Sequence, residues 1–373
     1  MQSKMLMALA LALPLALAGC AATQEPVTGK PMDTVEYRAK AREGLAGLVR
    51  RVLASNAELV GAELFGEGHI HETWHLKVRT GDKTEDFALK VFSDEQTARR
   101  NATNYARAKE LGWKVPEEVY RGEMSPHRPS DGVVMRYVAE RSLARAVRRA
   151  VTEQAGSTAA VAALYESVGT DLGGMHARGT RARAAGDLSG ASLARAAAEA
   201  CDRSGLCGPH SVRRMYQVAP MLDGDKVTFV HGDLYESQII TEMGKVTAFL
   251  DFDECAAADP AMDVGYMLAH ILLINPVTRE SVWGAPTPTS DEIVATTLAF
   301  LKAYRAAAKL DDAGAWDTFL RRSKGYMWVR IGVLVAKLED NIHGKKLLDL
   351  IKRNKVEPFA VDPFDLHGIK LEG

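Results

Sequence analysis

The sequence predicts an α+β protein of two lobes, with a small strand-rich lobe followed by a larger helical one. Residues 58–138 contain short runs rich in Val, Phe, Tyr and Trp, broken by Gly and polar turns. Beyond Ser142 the pattern changes to long Ala, Leu and Arg stretches typical of helices. With 373 residues, 47% of them hydrophobic, each lobe is large enough to bury a core of its own. This order of elements predicts a cleft between the two lobes.

Composition excludes several classes of protein. The chain carries 47 Lys and Arg against 48 Asp and Glu, for a formal charge of −1, so a mainly disordered chain is not expected. Near neutrality also gives no basic domain, and we expect no nucleic-acid partner. Four Cys in a chain of this length do not form a disulfide scaffold, and no paired CxxC spacing indicates zinc.

The first twenty residues differ from the rest. An apolar run over residues 5–17, shorter than the ~20 residues that span a bilayer, ends in Leu17-Ala18-Gly19-Cys20. This segment resembles a bacterial lipobox, which implies a signal peptide over 1–20, lipidation at Cys20, a tether over 21–32 and a membrane-anchored, extracytoplasmic protein. The alternative is a misassigned start or an unprocessed tail, which would leave the protein cytoplasmic.

In the small lobe, residues 33–138, we predict five strands and one helix. The strands cover 58–65, 72–78, 86–92, 118–123 and 133–138. The helix covers 94–111, with Ser93 as its N-cap and Gly112 at its end, followed by Pro116.

In the large lobe, residues 139–373, helical patterns cover 142–154, 159–178, 189–202, 291–309 and 313–352. Two strand-like runs, 227–230 and 246–249, interrupt them. We expect these two runs to form a short hairpin, with the polar residues that follow them at one end.

Those polar residues form the greatest concentration of candidate catalytic and metal-binding side chains in the sequence. His231-Gly232-Asp233 follows the first run, Gln238 lies five residues after Asp233, and Asp251 ends the second run. Such oxygen-bearing side chains suit phosphoryl transfer, which needs Mg²⁺ on hard ligands and a carboxylate that orients the incoming hydroxyl. Asp251 and Gln238 would be the metal ligands and Asp233 the base. The alternative is an ordinary turn with surface carboxylates.

These residues resemble the aminoglycoside phosphotransferase and choline kinase group of small-molecule kinases. The family pattern HGD-x-x-x-x-N, I-D-[WF]-[DE] and D-P-x-x-D is matched by residues 231–233, 250–253 and 259–263. The resemblance, over about residues 58–275, implies a protein-kinase-like fold with an antiparallel sheet in the small lobe, and ATP as donor. It also implies a catalytic role for Asp233 and His231, metal binding by Asp251, and a structural role for Asp263.

The small lobe offers parts for a nucleotide site. Two glycines between strand-like runs would let backbone N–H groups approach a phosphate, although an ordinary hairpin turn is the alternative. A lysine inside the apolar run 87–92 would meet an anion in a cleft, unless it faces outward on an edge strand. By the resemblance, residues 133–138 form the crossover between the lobes and contact adenine through their backbone. The nucleotide-binding residues predicted in this way are Gly66, Gly68, Lys90, Met135, Arg136 and Val138.

Two positions depart from the family pattern. Gln238 stands where most members have Asn, although maltokinases share the Gln and it slightly favours a sugar-like acceptor. Asn101 stands where a helix Glu usually pairs with the strand lysine, so Lys90 is expected to lack a carboxylate partner unless the helix is shifted and Glu95, nearly two turns earlier, substitutes. His176 is expected to be a core residue.

The predicted function is ATP-dependent transfer of the γ-phosphate to a hydroxyl of a small molecule, namely a sugar, an amino sugar or an amino alcohol. The alternative is a catalytically weak or inactive kinase-like lipoprotein that binds a ligand or partner, because an exported domain meets no expected pool of ATP. Cys201 and Cys207 could form a disulfide or remain thiols, and Cys255 is expected to be a packing residue.

Overall fold

The computed structural model describes residues 35–64, 72–124, 131–138, 141–153, 157–205, 207, 209–338, 364 and 369. Gly66 and Gly68, as well as the signal segment, the tether and Cys20, lie outside these residues.

The small lobe is built on a five-stranded antiparallel sheet, as predicted. Its strands are β1 (Glu58–Leu64), β2 (Glu72–Thr80), β3 (Lys83–Val91), β4 (Glu118–Glu123) and β5 (Asp131–Arg136). They lie in the order β1-β2-β3-β5-β4. Helix α1 (Val35–Val52), which the sequence reasoning missed, packs Leu45, Leu48 and Val49 into the core of this lobe. The alternation of buried residues along β2 follows the period of two that a half-buried strand requires.

Helix α2 (Glu95–Glu110) crosses behind the sheet, close to its predicted bounds. Its N-cap is Asp94, whose side chain accepts from the Thr97 N–H, so the assignment of Ser93 as N-cap was wrong. Ser93 instead donates its hydroxyl to the Asp94 carboxylate. Asp is the better cap here because an ionised carboxylate also interacts favourably with the helix dipole. Gly112 follows the helix with φ +73°, a conformation that favours glycine at this position.

The large lobe is mostly helical. Its helices are α3 (Leu143–Glu153), α4 (Thr158–Gly179), α5 (Gly190–Ser204), α6 (Pro209–Val218), α7 (Ala261–Ala269), α8 (Asn275–Thr278), α9 (Ser290–Ala307) and α10 (Ala313–Leu338). Its strands are β6 (Arg141–Ser142), β7 (Arg181–Ala182), β8 (Lys226–Val230), β9 (Ile239–Glu242), β10 (Lys245–Phe249) and β11 (Ala256–Ala258).

The two predicted strand runs of this lobe exist, but they do not form a hairpin. β8 pairs with β11 and β7, whereas β10 pairs with β9 in a separate sheet that also contains β6. The prediction failed because β9 is only four residues long and was not recognised. The hairpin that does form, β9–β10, has its open end beside Gln238 and Asp251, the two metal ligands predicted from the sequence.

Helix α7 is the centre of the large lobe. It continues through π-helical turns at His270–Ile274 and Arg279–Trp283, on either side of α8. The continuous helical stretch Ala261–Trp283 is long and apolar enough to cross a membrane, but 89% of its apolar 18-residue window is buried inside the protein, as expected of a core helix. A Cβ on Gly265 would lie 2.4 Å from the Ser323 carbonyl oxygen. Helices α7 and α10 therefore contact each other backbone to backbone, which brings α10 close to the predicted catalytic residues.

Candidate active site

The loop between β8 and β9 is shaped by a glycine and anchored by a buried carboxylate. Gly232 has φ +78°, and a Cβ on it would lie 2.3 Å from the Glu254 carbonyl oxygen, so only glycine fits. Asp263, fully buried at the start of α7, accepts the backbone N–H groups of His231 at 2.7 Å and of Gly232 at 2.9 Å. The bracing role that the resemblance implied for Asp263 is thus present.

Asp263 is held in turn from helix α4. His176, buried as expected, bonds through Nε2 to the Asp263 carboxylate at 3.2 Å and through Nδ1 to the Tyr304 hydroxyl at 2.9 Å. Burial opposes ionisation of Asp263, but the hydrogen bond and charge of His176, with those of His231, outweigh it and lower the pKa of the carboxyl. An ionised Asp263 is the better acceptor for the two loop N–H groups.

His231 is a positioning residue in this structure. Its side chain is fully buried and its Nε2 lies 2.7 Å from the Leu250 carbonyl oxygen, while its Nδ1 accepts the Asp233 N–H at 3.4 Å. These partners are consistent with the Nε2–H tautomer. The sequence reasoning grouped His231 with the catalytic residues; in the structure the ring joins two backbone segments, one before Asp251 and one at Asp233.

Asp233 meets an arginine that the sequence reasoning missed. The Asp233 carboxylate accepts from Nη1 of Arg330 at 2.5 Å, and the Arg330 side chain is 1% exposed. Arg330 lies on α10, far along the chain and in no recognised motif. The available signal was an arginine inside the apolar run Met327-Trp328-Val329-Arg330-Ile331, because such a charge is rarely buried without a partner.

Gln238 and Asp251 lie side by side, as the sequence predicted. The Leu250 N–H donates to the Gln238 carbonyl oxygen at 2.8 Å, which aligns the two segments. Nε2 of the Gln238 amide donates to Oδ2 of Asp251 at 3.2 Å and to the Tyr235 hydroxyl at 3.2 Å. Asp251 adopts φ 64°, ψ 72°, a left-handed conformation that Asp tolerates better than most residues.

The residues present fit a magnesium ion. Among the described residues, no group of three His, Cys, Asp or Glu side chains is arranged to hold a metal. Mg²⁺, however, usually takes one or two protein ligands and completes its shell with phosphate oxygens and water. The Asp251 carboxylate and the adjacent Gln238 amide provide such a pair, once the amide turns its oxygen toward the carboxylate; its two ends are nearly equivalent in shape.

Lys90 has two carboxylate partners, contrary to the expectation drawn from Asn101. Its Nζ lies 2.8 Å from Oδ1 of Asp251 and 2.7 Å from Oδ2 of Asp253. Burial disfavours the ammonium, but attraction to Asp251 and Asp253 outweighs it and raises the pKa of Lys90. Asn101 donates to Oδ1 of Asp253 at 2.6 Å. The carboxylate that the family places on the helix is therefore supplied here by Asp253, and helix α2 holds it through an amide.

The remaining predicted nucleotide contacts lie at the end of β5. Met135 pairs within the sheet with Ala88. The Arg136 N–H donates to the Glu117 carbonyl oxygen at 2.9 Å. These two backbone positions are thus engaged within the lobe, and Val138 lies two residues beyond the end of the strand. The Arg136 side chain forms ion pairs with Glu85 and Glu117.

The structure shows the state of three cysteines, Cys201, Cys207 and Cys255. Cys201 and Cys207 form a disulfide, with Cα atoms 5.2 Å apart, which settles the alternative left open by the sequence. Cys255 is a buried free cysteine. Burial, reinforced by nearby carboxylates with Asp263 foremost, raises the pKa of its thiol well above the usual range. This environment suits a packing residue and disfavours a nucleophile.

A two-lobed fold with a paired lysine, an anchored HGD loop and adjacent amide and carboxylate oxygens defines a kinase-like small-molecule phosphotransferase. A family model described as the phosphotransferase enzyme family matches residues 61–308. The chain belongs to this family. A comparison with curated proteins finds no significant match.

Solved structures are similar to this chain at low sequence identity, and the first of the three named here shares its fold. A Ralstonia eutropha protein provisionally designated an aminoglycoside phosphotransferase is 17% identical, with a TM-score of 0.62 over 87% of this chain and 98% of that one. A macrolide 2′-phosphotransferase from Brachybacterium faecium is 16% identical, with a TM-score of 0.49 over 83% and 98%. A glucosamine kinase is 16% identical, with a TM-score of 0.48 over 84% and 99%.

Proposed function

We propose that the protein transfers the γ-phosphate of ATP to a hydroxyl group of a small molecule, with Asp233 as the base. A sugar, an amino sugar or an amino alcohol is the expected acceptor. The observation that carries this proposal is the clustering of Lys90, Asp251 and Gln238 beside the loop that bears Asp233. Asp251 is hydrogen-bonded to both Lys90 and Gln238. The Tyr235 hydroxyl, which is hydrogen-bonded to Gln238, interacts electrostatically with both Asp233 and Asp251.

Each of these residues would have a distinct part in the reaction. Mg²⁺ held by Asp251 and Gln238 would supply charge neutralisation for the phosphates. Lys90 would orient the phosphates, with Asp253 and Asn101 fixing its ammonium in place. Asp233 would accept a hydrogen bond from the acceptor hydroxyl and take its proton as the new bond to phosphorus forms. The anchored loop is important because a misplaced base loses much of the benefit of proximity.

The test is release of ADP from Mg·ATP in the presence of glucose, glucosamine and choline as representative acceptors. We expect Mg²⁺-dependent turnover with at least one acceptor class, and loss of at least 100-fold in Asp233→Ala. Asp317→Ala, at an exposed position on α10, is the matched control and should retain activity. ATP binding without turnover in the wild type would instead favour the non-catalytic binding protein.

We also propose that the protein is exported and lipidated at Cys20. The Cys201–Cys207 disulfide supports this location, because disulfides persist in oxidising compartments and are rare in the cytoplasm. Cells grown with labelled palmitate should yield a labelled protein, and Cys20→Ser should abolish the label while Cys255→Ser retains it. An unlabelled wild type in the soluble cytoplasmic fraction would refute export.

A further inference from the structure

Arg330 is a buried arginine whose main partner is the proposed catalytic base. It lies on α10, beyond the residues 61–308 that match the family model. Its side chain is 1% exposed, and its Nη1 donates to Oδ1 of Asp233 at 2.5 Å. Burial opposes the guanidinium charge, but attraction to Asp233 outweighs it and raises the pKa of Arg330. Arg330 is therefore a permanent positive charge beside this carboxylate.

The guanidinium is held by aromatic and polar groups around it. Its carbon lies 4.9 Å from the Tyr266 ring centroid and 5.8 Å from that of Tyr235. Its Nη2 lies 3.5 Å from Nε2 of His270. These contacts, together with the bond to Asp233, leave the guanidinium little freedom to change its orientation.

His270 is itself fixed by a buried carboxylate. Its Nδ1 lies 3.2 Å from Oε2 of Glu236, whose other oxygen accepts from the Tyr165 hydroxyl at 2.8 Å and from the Asn275 amide at 2.7 Å. The π-helical turn that interrupts the long helix begins at His270. Such turns are rare overall, and those that occur are often at functional sites. The irregular helix and the buried polar network therefore hold the His270 side chain against Arg330.

This arrangement is costly if stability is its only purpose. Moving two charges out of water often costs as much as their attraction returns, and well-packed apolar residues are frequently as stable or more stable in the same place. The guanidinium lies against the rings of Tyr266 and Tyr235, and Val329 and Ile331, its neighbours along α10, are buried, so a Leu or Met could pack at this position. The retained charge thus indicates a function connected with Asp233.

We propose that Arg330 is a positioning residue for the proposed reaction, one that holds the Asp233 carboxylate correctly oriented toward the acceptor hydroxyl. This inference rests on the proposed function. In the reaction the hydroxyl proton passes to Asp233, the acceptor oxygen bonds to phosphorus, and the bond from phosphorus to the ADP oxygen breaks. Arg330 exchanges no proton, since its donors only fix the carboxylate.

The existence of the pair is tested by stability alone. Thermal midpoints of the full-length chain are measured for Asp233→Asn, Arg330→Met and the double variant. Asp233→Asn leaves the buried Arg330 charge without this carboxylate, and Arg330→Met leaves the half-buried Asp233 carboxylate without this guanidinium, so the double variant should melt at a higher temperature than Arg330→Met alone. Additive shifts would overturn the pairing, whether or not the protein has activity.

The positioning role is tested by turnover, measured as ADP release from Mg·ATP with glucosamine or with water as acceptor. We expect kcat to fall about 100-fold in Arg330→Met, with the KM for ATP unchanged, and Arg330→Lys to recover part of the loss. The matched control is Arg279→Met, which removes another buried arginine, paired with Glu292 away from Asp233. It should lower the melting temperature but not kcat.

The two proposals fail in distinguishable ways. Wild-type turnover that Arg330→Met leaves unchanged, or that Arg279→Met lowers equally, overturns the positioning role and leaves the proposed function intact. An equal effect of Arg330→Met on kcat and on the KM for ATP likewise overturns it. Absence of any wild-type turnover overturns the proposed function and the positioning role with it, while the melting temperatures still report on the ion pair.

Discussion

Replacing Gly232 by Ala tests whether the shape of the HGD loop controls catalysis. An L-residue at φ +78° costs about 1 kcal/mol, and the new Cβ would lie 2.3 Å from the Glu254 carbonyl oxygen. That separation is far below a van der Waals contact, so either the loop or the segment at Glu254 must move by several tenths of an ångström or more. A displacement of ~1 Å at a catalytic group costs about 100-fold in rate. We therefore expect kcat for ADP release to fall about 100-fold.

Gly244 provides a matched control. It lies in the β9–β10 turn with φ +80°, and a Cβ there would meet nothing within 4 Å. Gly244→Ala should therefore cost only the backbone term, about 1 kcal/mol, which shifts the melting temperature by ~2 °C and leaves kcat unchanged. If Gly232→Ala has the same melting temperature and the same kcat as Gly244→Ala, the steric argument for the loop is refuted.

Three further predictions concern the lysine cluster and the cysteines. Asp253→Asn removes one of two carboxylates from Lys90 and should weaken Mg·ATP binding about tenfold, since a charged hydrogen bond contributes roughly 1.5 kcal/mol; titration calorimetry measures this, and an unchanged Kd would contradict it. Reduction of the Cys201–Cys207 bond should lower the free energy of unfolding by about 2 kcal/mol in urea titrations. The Cys201→Ser/Cys207→Ser variant has no such bond, so adding reductant should leave its free energy of unfolding unchanged. Cys255 should resist iodoacetamide at pH 8 in the native protein and react after unfolding, because burial raises the pKa of its thiol; rapid native labelling would show an accessible thiolate.

Local patterns were sufficient to predict most of the architecture. The five strands of the small lobe and the helices α2, α4 and α9 lie within a few residues of their predicted bounds, because alternation and helical spacing report directly on burial. The placement of Asp233, Gln238 and Asp251 in one region was predicted for a related reason: short spacings along the chain limit where side chains can lie.

Contacts between distant segments could not be read in this way. Arg330 reaches Asp233 across 97 positions of sequence, and only the packing of α10 on α7 makes this contact possible. The Asn101 substitution looked like the loss of a partner for Lys90, because the sequence does not reveal that Asp253 turns back toward the lysine. The hairpin assignment failed at β9, where four residues gave too little pattern. Such errors arise from tertiary pairing, which spacing along the chain does not encode.

Asp263 links the activity of this protein to the completion of its folding. The main-chain donors of the HGD loop find their acceptor only when α7 has docked, and α7 itself packs against α10 near the end of the described chain. The order of the catalytic loop thus depends on a single carboxylate of α7, a helix that is itself packed backbone to backbone against α10.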